Sequence, residues 1–293
     1  MAAFDPHAPA PLRPPFDRFG GTIPASPVIV SVPHAGRDYP AALLAALRVP
    51  FVAVTVLEDR YVDAVALLAH KDETMLIQRR ARAWIDLNRN EQERDPAIDE
   101  GARATGTPIA SAKVRGGLGL IPRRVAGAGD LWRRRFGADD IATRITQDYR
   151  PYHAALTGAL QAARARFGIA VLLDVHSMPS LGLGGPRIVL GDRHGRSAGA
   201  RFVDAIERTV RAAEIPCARN TPYAGAHILD TQAQGGVVHA IQIEFDRTLY
   251  LDPAGDLPGD GLHKTARLLR AMIDSVEAEA SGRITAPHAI AAE

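Results

Sequence analysis

The chain has 293 residues, 35 Lys plus Arg against 33 Asp plus Glu, and a formal net charge of +2. That near-balance leaves neither a dedicated nucleic-acid arm nor an acidic tail as an organising feature. The single cysteine, Cys217, excludes an intramolecular disulfide, and no apolar stretch approaches the roughly 18 residues of a membrane-spanning helix.

Met1 to Gly20 carries Asp5 and five prolines (Pro6, Pro9, Pro11, Pro14 and Pro15), so residues 1–24 read as an extended surface arm with no signal-peptide segment. The rest, residues 25–293, reads as a single domain of a soluble, cytoplasmic, enzyme-sized protein with no membrane segment. Pro27 to Val32 is a β-branched run closed by Pro33, which suits a strand buried on both faces. Glu58 to His70 has helical spacing, while Thr74 to Gln78 and Ala83 to Leu87 read as strands. Between Asn90 and Asp130 glycines, prolines and charges replace periodicity, which in a compact domain marks an active-site loop. Asp139 to Phe167 is helical, with a break expected at Pro151 and an end at Gly168. Ile169 to Leu173, Arg187 to Leu190 and Val237 to Phe245 then read as strands, alternating with helices over Ala198 to Ala213 and Gly261 to Glu279. This alternation predicts an α/β fold with a mainly parallel sheet covered on both sides by helices.

In such a fold ligands bind beyond the carboxyl ends of the strands, so polar residues just after apolar runs carry the information. Three places qualify. Ser31-Val32-Pro33-His34-Ala35-Gly36 offers an imidazole where a strand stops, Asp174 and His176 share one face of their strand, and Gln242 and Glu244 share one face of theirs. Two histidines and a carboxylate match a hydrolytic zinc site, or one for another divalent metal, with a position left for water. Asp59 is the first choice for the acidic ligand, as a carboxylate held at a helix N-terminus, and Glu58 is the alternative. Asp63, one turn later, is placed to accept a hydrogen bond from a ligating histidine. Glu244 is the candidate proton shuttle. Asn88 and Arg89 pair an amide with a guanidinium where a substrate carboxylate would bind, and Arg82 and Arg247 stand beside neighbouring strand-like runs. Together these cations predict a small acidic substrate.

Each residue has a plain structural alternative when taken singly. His34 can be a packed residue, Asp59 a helix cap, and Glu244 half of an ion pair with Arg247. His153, His194, His227 and His239 read as solvated loop histidines. Gly116-Gly117-Leu118-Gly119 and Gly182-Leu183-Gly184-Gly185 lack the residues of a phosphate loop, and the Arg133 to Arg135 run reads as a solvated face without the aromatic platform of a nucleic-acid site. Ser177 lacks a nucleophile elbow, and Cys217 has no adjacent base. Agreement among three strand ends favours metal-assisted hydrolysis over these readings, and also over a non-enzymatic binder of acidic metabolites.

The strand-end motifs, with Asp59 to Asp63, Asp86-Leu87-Asn88-Arg89, Gly191-Asp192-Arg193-His194-Gly195 and Asn220-Thr221-Pro222-Tyr223, together resemble the N-formylglutamate amidohydrolase family from about Val28 to Tyr250. That family is similar to the zinc carboxypeptidase and aspartoacylase group. The resemblance implies a three-layer fold with a mixed sheet, and zinc held by His34, Asp59 and His176. It further implies Glu244 activating water, Asn88 and Arg89 on a carboxylate, and hydrolysis of N-formyl-L-glutamate to formate and glutamate, a step of histidine degradation. Another zinc deacylase or a carboxypeptidase-like peptidase is the nearest alternative. The sequence departs from the carboxypeptidase pattern at Arg37, which stands three residues after the first His where that pattern has an acid.

Overall fold

Residues 14–104 and 109–282 are described by a computed structural model. The first half forms β1 (Phe16–Phe19), β2 (Val28–Val32), α1 (Ala41–Ala46), α2 (Val52–Thr55), α3 (Val62–Ala69), β3 (Thr74–Gln78) and α4 (Ala112–Arg115). A small hairpin of β4 (Arg124–Val125) and β5 (Gly129–Asp130) follows, then α5 (Ala138–Arg144) and α6 (Arg150–Phe167). The second half adds β6 (Ala170–Met178), β7 (Ile188–Gly191), α7 (Ala200–Ala212), β8 (Cys217–Arg219), α8 (His227–Gln232), β9 (Val238–Asp246) and α9 (Leu262–Ala280).

Seven strands make one sheet in the order β1-β3-β2-β6-β9-β7-β8. It is parallel from β3 to β9 and between β7 and β8, and antiparallel where β1 meets β3 and where β7 meets β9. The fold is therefore α/β with a mixed, mostly parallel sheet between helices. The two-residue period sorts each central strand onto two cores. Val171, Leu173 and Val175 of β6 and Ile241 and Ile243 of β9 face α3, α7 and α9. Ala170 and Leu172 of β6 and Val238 and Ala240 of β9 face α6 and α8. On this second face the apolar layer stops at the strand ends: Ser31, Asp174, His176, Gln242 and Glu244 continue it as a buried polar floor.

Several expectations are revised. Phe16–Phe19, assigned to the N-terminal arm, is an edge strand that pairs Phe16 with Gln78 and Phe19 with Met75; residues 1–13 of the arm lie outside the described residues. Ala83 to Leu87 is a buried turn-rich segment instead of a strand, because the backbone here bonds to loops and side chains. Asp86 N–H donates to Leu120 O at 2.8 Å, and Asp86 Oδ1 accepts from Asn88 N–H at 2.9 Å. The helix expected from Glu58 starts at Val62, after Tyr61 in a left-handed conformation (φ 57°). Pro151 does not break its helix. A π-helical turn, Ile145–Tyr149, joins α5 to α6 without a gap and absorbs the proline, which has no N–H for the carbonyl four residues back.

The long irregular segment is anchored by ion pairs, Arg94 with Asp99 and Arg123 with Asp95. It also adds Leu120, Ile121, Leu131 and Trp132 to the α6 side of the core. Arg133 and Arg135 donate to the Leu47 and Asp99 carbonyls and Arg134 to Arg135 O, while all three side chains stay exposed, as a solvated face. No helix among the described residues is long and apolar enough to cross a membrane.

Candidate active site

The chain turns sharply after β2 and carries His34 over the end of the sheet. Gly36 permits the turn, since a Cβ there would collide with the carbonyl oxygens of Arg79 and Arg80. The same loop receives the Glu58-Asp59 segment through a hydrogen bond from Asp59 N–H to His34 O at 3.0 Å. His176 comes from β6, next in the sheet to β2.

His34, Asp59 and His176 meet there, all buried, each offering a ligand atom within 4.8 Å of the others'. His176 Nδ1 lies 2.9 Å and His34 Nδ1 3.6 Å from the same oxygen, Asp59 Oδ2, and the two imidazole rings are 4.8 Å apart edge to face. Each ring is held from behind. His34 Nε2 donates to Asp86 Oδ1 at 2.8 Å, and His176 Nε2 donates to Asp174 Oδ2 at 2.9 Å. Asp174 is itself fixed by Ser31 Oγ at 2.8 Å, and Ser31 by the Tyr152 hydroxyl at 2.9 Å.

With its proton on Nε2, His34 presents a buried Nδ1 lone pair that has no hydrogen-bond partner and points at a carboxylate oxygen. Two buried acceptors facing each other at this distance are unfavourable unless a cation lies between them. Two imidazole nitrogens and one carboxylate oxygen are the donors of a three-ligand hydrolytic site, and the clustered side chains fit such an ion. Burial alone would raise the Asp59 carboxyl, but His176 and His34 overcome it and hold the group well below the usual carboxylate range. Burial would likewise lower His176, yet Asp174 and Asp59 raise it well above the ordinary imidazole value.

The acidic alternative and the expected helper lie elsewhere. Glu58 accepts from the Tyr39 hydroxyl at 2.6 Å and from Arg60 at 3.0 Å. Asp63 is ion-paired with Arg37, 3.0 Å from Nη1, so it does not stand behind a ligating histidine; Asp86 and Asp174 occupy that role. Arg37, which replaces the acid of the carboxypeptidase pattern, is thus engaged with Asp63. Asp59 sits in the loop ahead of α3 and is steadied by the imidazoles and by Arg247, 3.5 Å away, in place of helix amides.

Glu244 is paired in register with His176 across β6 and β9, and its Oε1 accepts from Gln242 Nε2 at 2.8 Å. Burial pushes its carboxyl up to about 7, with the His176 charge opposing and the Asp59 charge adding. Asn88 Oδ1 accepts from Ile228 N–H at 2.9 Å, and Arg89 donates to Leu118 O and Asn88 O. Arg82 donates from Nε to Asp86 Oδ2 at 2.9 Å, while its terminal nitrogens make no hydrogen bond among the described residues. Arg247 donates to Ser177 Oγ at 3.0 Å and to Glu58 O, bracing the loop that carries Asp59.

Sequence reasoning missed other groups around this floor. Asp86 was legible as part of an Asp-Leu-Asn-Arg motif, but nothing in the spacing links it to His34. The half-buried Tyr223 phenol is raised by burial and then by the Glu244 charge, and it also feels Arg247, Asp59 and Arg82. The Lys113 ammonium on α4 is lowered by partial burial and by the charges of Arg89 and Arg82. His153 and His227, read as solvated loop histidines, lie instead on α6 and α8 and pack with Tyr149 beneath Asn88 and Arg89. The Gly182 to Gly185 loop stands in solvent with Leu183 fully exposed.

Known proteins resemble this chain over most of its length. The chain is 26% identical over 261 residues to an N-formylglutamate deformylase of Pseudomonas aeruginosa, covering 85% of this chain and 92% of that protein. A Pseudomonas putida protein of the same name is 25% identical over 242 residues, covering 77% and 82%. A crystal structure of N-formylglutamate amidohydrolase from Ralstonia eutropha superposes with a TM-score of 0.83 at 31% identity, covering 91% of this chain and 98% of that one. An Agrobacterium tumefaciens gene product shares the fold alone, with a TM-score of 0.66 at 17% identity, covering 91% and 96%. Residues 26–251, spanning every strand end described above, match the sequence model of the family described as N-formylglutamate amidohydrolase. On that match, the chain belongs to the N-formylglutamate amidohydrolase family.

Proposed function

We propose that this protein is a zinc-dependent amidohydrolase that cleaves N-formyl-L-glutamate to formate and L-glutamate. The observation that carries the reading is the unpartnered, buried Nδ1 of His34 directed at Asp59 Oδ2 beside His176 Nδ1. Two curated relatives that carry the name N-formylglutamate deformylase support the substrate. Zinc on His34, Asp59 and His176 would polarise the formyl oxygen and lower the pKa of an attacking water to about 7.

The chain's own residues do the rest. Glu244 takes the proton from the water and returns it to the leaving nitrogen. Asn88 and Arg89 hold one substrate carboxylate, a charge-assisted contact worth roughly 1.5 to 3 kcal/mol. Arg82 brings its unengaged terminal nitrogens to the developing oxyanion or to the second carboxylate, and Arg247 keeps Asp59 in place. Asp86 and Asp174 fix the imidazoles so that both Nδ1 atoms face one point.

The test is elemental analysis of the purified protein together with formate release from formyl, acetyl and peptidyl glutamate, with and without a chelator. Stoichiometric zinc and chelator-sensitive release from the formyl compound above the others is the expected result. Turnover of acetyl or peptidyl glutamate in preference to the formyl compound would replace the substrate. Binding of N-formylglutamate without turnover would make the protein a carrier.

A further inference from the structure

Asn88 and Arg89 lie in a turn that belongs to no helix or strand, and its backbone is buried. Buried carbonyls outside a ladder need partners, and such a turn holds its side chains accurately only if those partners are rigid. Here each of three consecutive carbonyls has one. His153 Nε2 donates to Leu87 O at 3.0 Å, Arg89 Nη1 to Asn88 O at 2.6 Å, and the Tyr149 hydroxyl to Arg89 O at 2.7 Å. The Tyr149 oxygen in turn accepts from His227 Nε2 at 2.7 Å, because its single proton goes to the carbonyl. The next residue, Ile228, donates its N–H to Asn88 Oδ1 at 2.9 Å. The Tyr149 and His153 rings pack against each other at a tilt of 37°, with centroids 4.3 Å apart.

Tyr149 closes the π-helical turn and His153 follows it by four residues, so both project from one side of the helix toward the turn. The π turn is closed by Arg150 N–H on Ile145 O, five residues back, directly ahead of Pro151. A helical irregularity of this kind recurs at functional sites. In this chain its consequence is a pair of aromatic donors placed under the Asn88–Arg89 backbone.

We infer that Tyr149 and His153, with His227 behind them, are positioning residues that set the Asn88–Arg89 pair for a substrate carboxylate. The inference rests on the proposed reading of Asn88 and Arg89 as the carboxylate clamp. It assigns these three residues to substrate binding rather than to the metal or the proton transfer. Loss of either donor therefore weakens carboxylate binding and leaves the chemical step nearly intact.

The experiment uses the metal-loaded full chain and the variants Tyr149→Phe, His153→Ala and His153→Gln, each also combined with Arg89→Ala. Steady-state formate release gives KM and kcat, and calorimetry gives the Kd of L-glutamate independently of turnover. Tyr149→Phe removes one oxygen and keeps the ring packing, and His153→Gln keeps an N–H donor for Leu87 O. The expected result is a KM and a glutamate Kd about tenfold higher in Tyr149→Phe and His153→Ala, with kcat within about threefold and metal content unchanged. His153→Gln restores most of the affinity, and in the Arg89→Ala background the added losses shrink to less than about twofold. A fall in kcat with KM unchanged, or full additivity with Arg89→Ala, overturns the inference. If the wild-type chain binds glutamate but releases no formate from N-formylglutamate, the proposed activity fails while the glutamate series still decides the positioning role. If it binds no glutamate, the inference falls.

Discussion

His34 and Asp86 are hydrogen-bonded at 2.8 Å between Nε2 and Oδ1, although 52 residues separate them in sequence. Asp86 is fully buried, and burial would raise its carboxyl, but Arg82, Arg89 and His34 together hold it well below the ordinary value. A permanently charged acceptor behind the imidazole fixes the proton on Nε2 and makes Nδ1 the more basic atom. Asp86→Asn is expected to weaken metal affinity about 10- to 100-fold, measured by competition with a chelator. Unchanged affinity would show that Asp86 serves the Arg82 and Asn88 contacts alone.

Glu244 offers a second separation of roles. It neighbours His176 in register but is outside the three-residue cluster, so Glu244→Gln should retain metal while turnover falls about 10²- to 10⁴-fold. Metal content and formate release on the same preparation make the check. Full activity would remove Glu244 from the mechanism.

What was legible in the sequence follows from how far each interaction reaches along the chain. The two-residue period placed Asp174 with His176 and Gln242 with Glu244, because a strand's faces are a local property. Likewise Pro33 after a β-branched run marked His34 as a strand-end residue. The convergence of His34, Asp59 and His176 depends on β2 and β6 being neighbours, a long-range pairing that spacing along the chain does not encode. The segment Ala83 to Leu87 looked like a strand because its apolar residues are buried; they are buried in a turn whose partners, Leu120 and Asn88, periodicity does not reveal. Pro151 looked like a break because the π turn that accommodates it leaves no trace in composition.

His153 gives the protein a defined acid sensitivity. Burial first, and His227 second, lower its imidazole from 6.5 to about 4, so it is neutral in the fold while the unfolded chain still binds a proton between those values. Its contribution is complete above pH 6.5 and is lost as pH falls through 6.5 toward 4, on the order of 3 kcal/mol in total. Denaturant midpoints of wild type and His153→Gln compared at pH 7.5 and 5 should show a smaller acid loss in the variant. Parallel curves would mean that His153 does not titrate in this window.

Arg144 tests stability away from the chemistry. Its guanidinium is buried 3.7 Å from the Trp84 ring and 4.2 Å from the Phe136 ring, and Nη1 donates to Trp84 O at 3.1 Å. Burial pulls its pKa down to about 10, with Asp140 and Asp148 opposing. A lysine keeps the charge but loses the planar stacking, so Arg144→Lys should cost about 1 to 3 kcal/mol by denaturant unfolding. A variant as stable as wild type would show that charge alone matters at this position.

Lys113 bears on substrate choice. It lies on α4, whose next turn supplies the Leu118 carbonyl that accepts from Arg89 Nε at 2.7 Å, and Leu118 N–H is bound to Lys113 O at 2.8 Å. Partial burial and the charges on Arg89 and Arg82 lower its ammonium, while Asp86 and Glu244 oppose the shift. A substrate with two carboxylates relieves that repulsion where a monocarboxylate does so only in part. Lys113→Ala is expected to raise KM for N-formylglutamate about five- to tenfold, with a smaller rise for N-formylmethionine and little change in kcat for either. Equal losses on both substrates would instead assign Lys113 to the general electrostatic field of the site, leaving selection of the second carboxylate to Arg82.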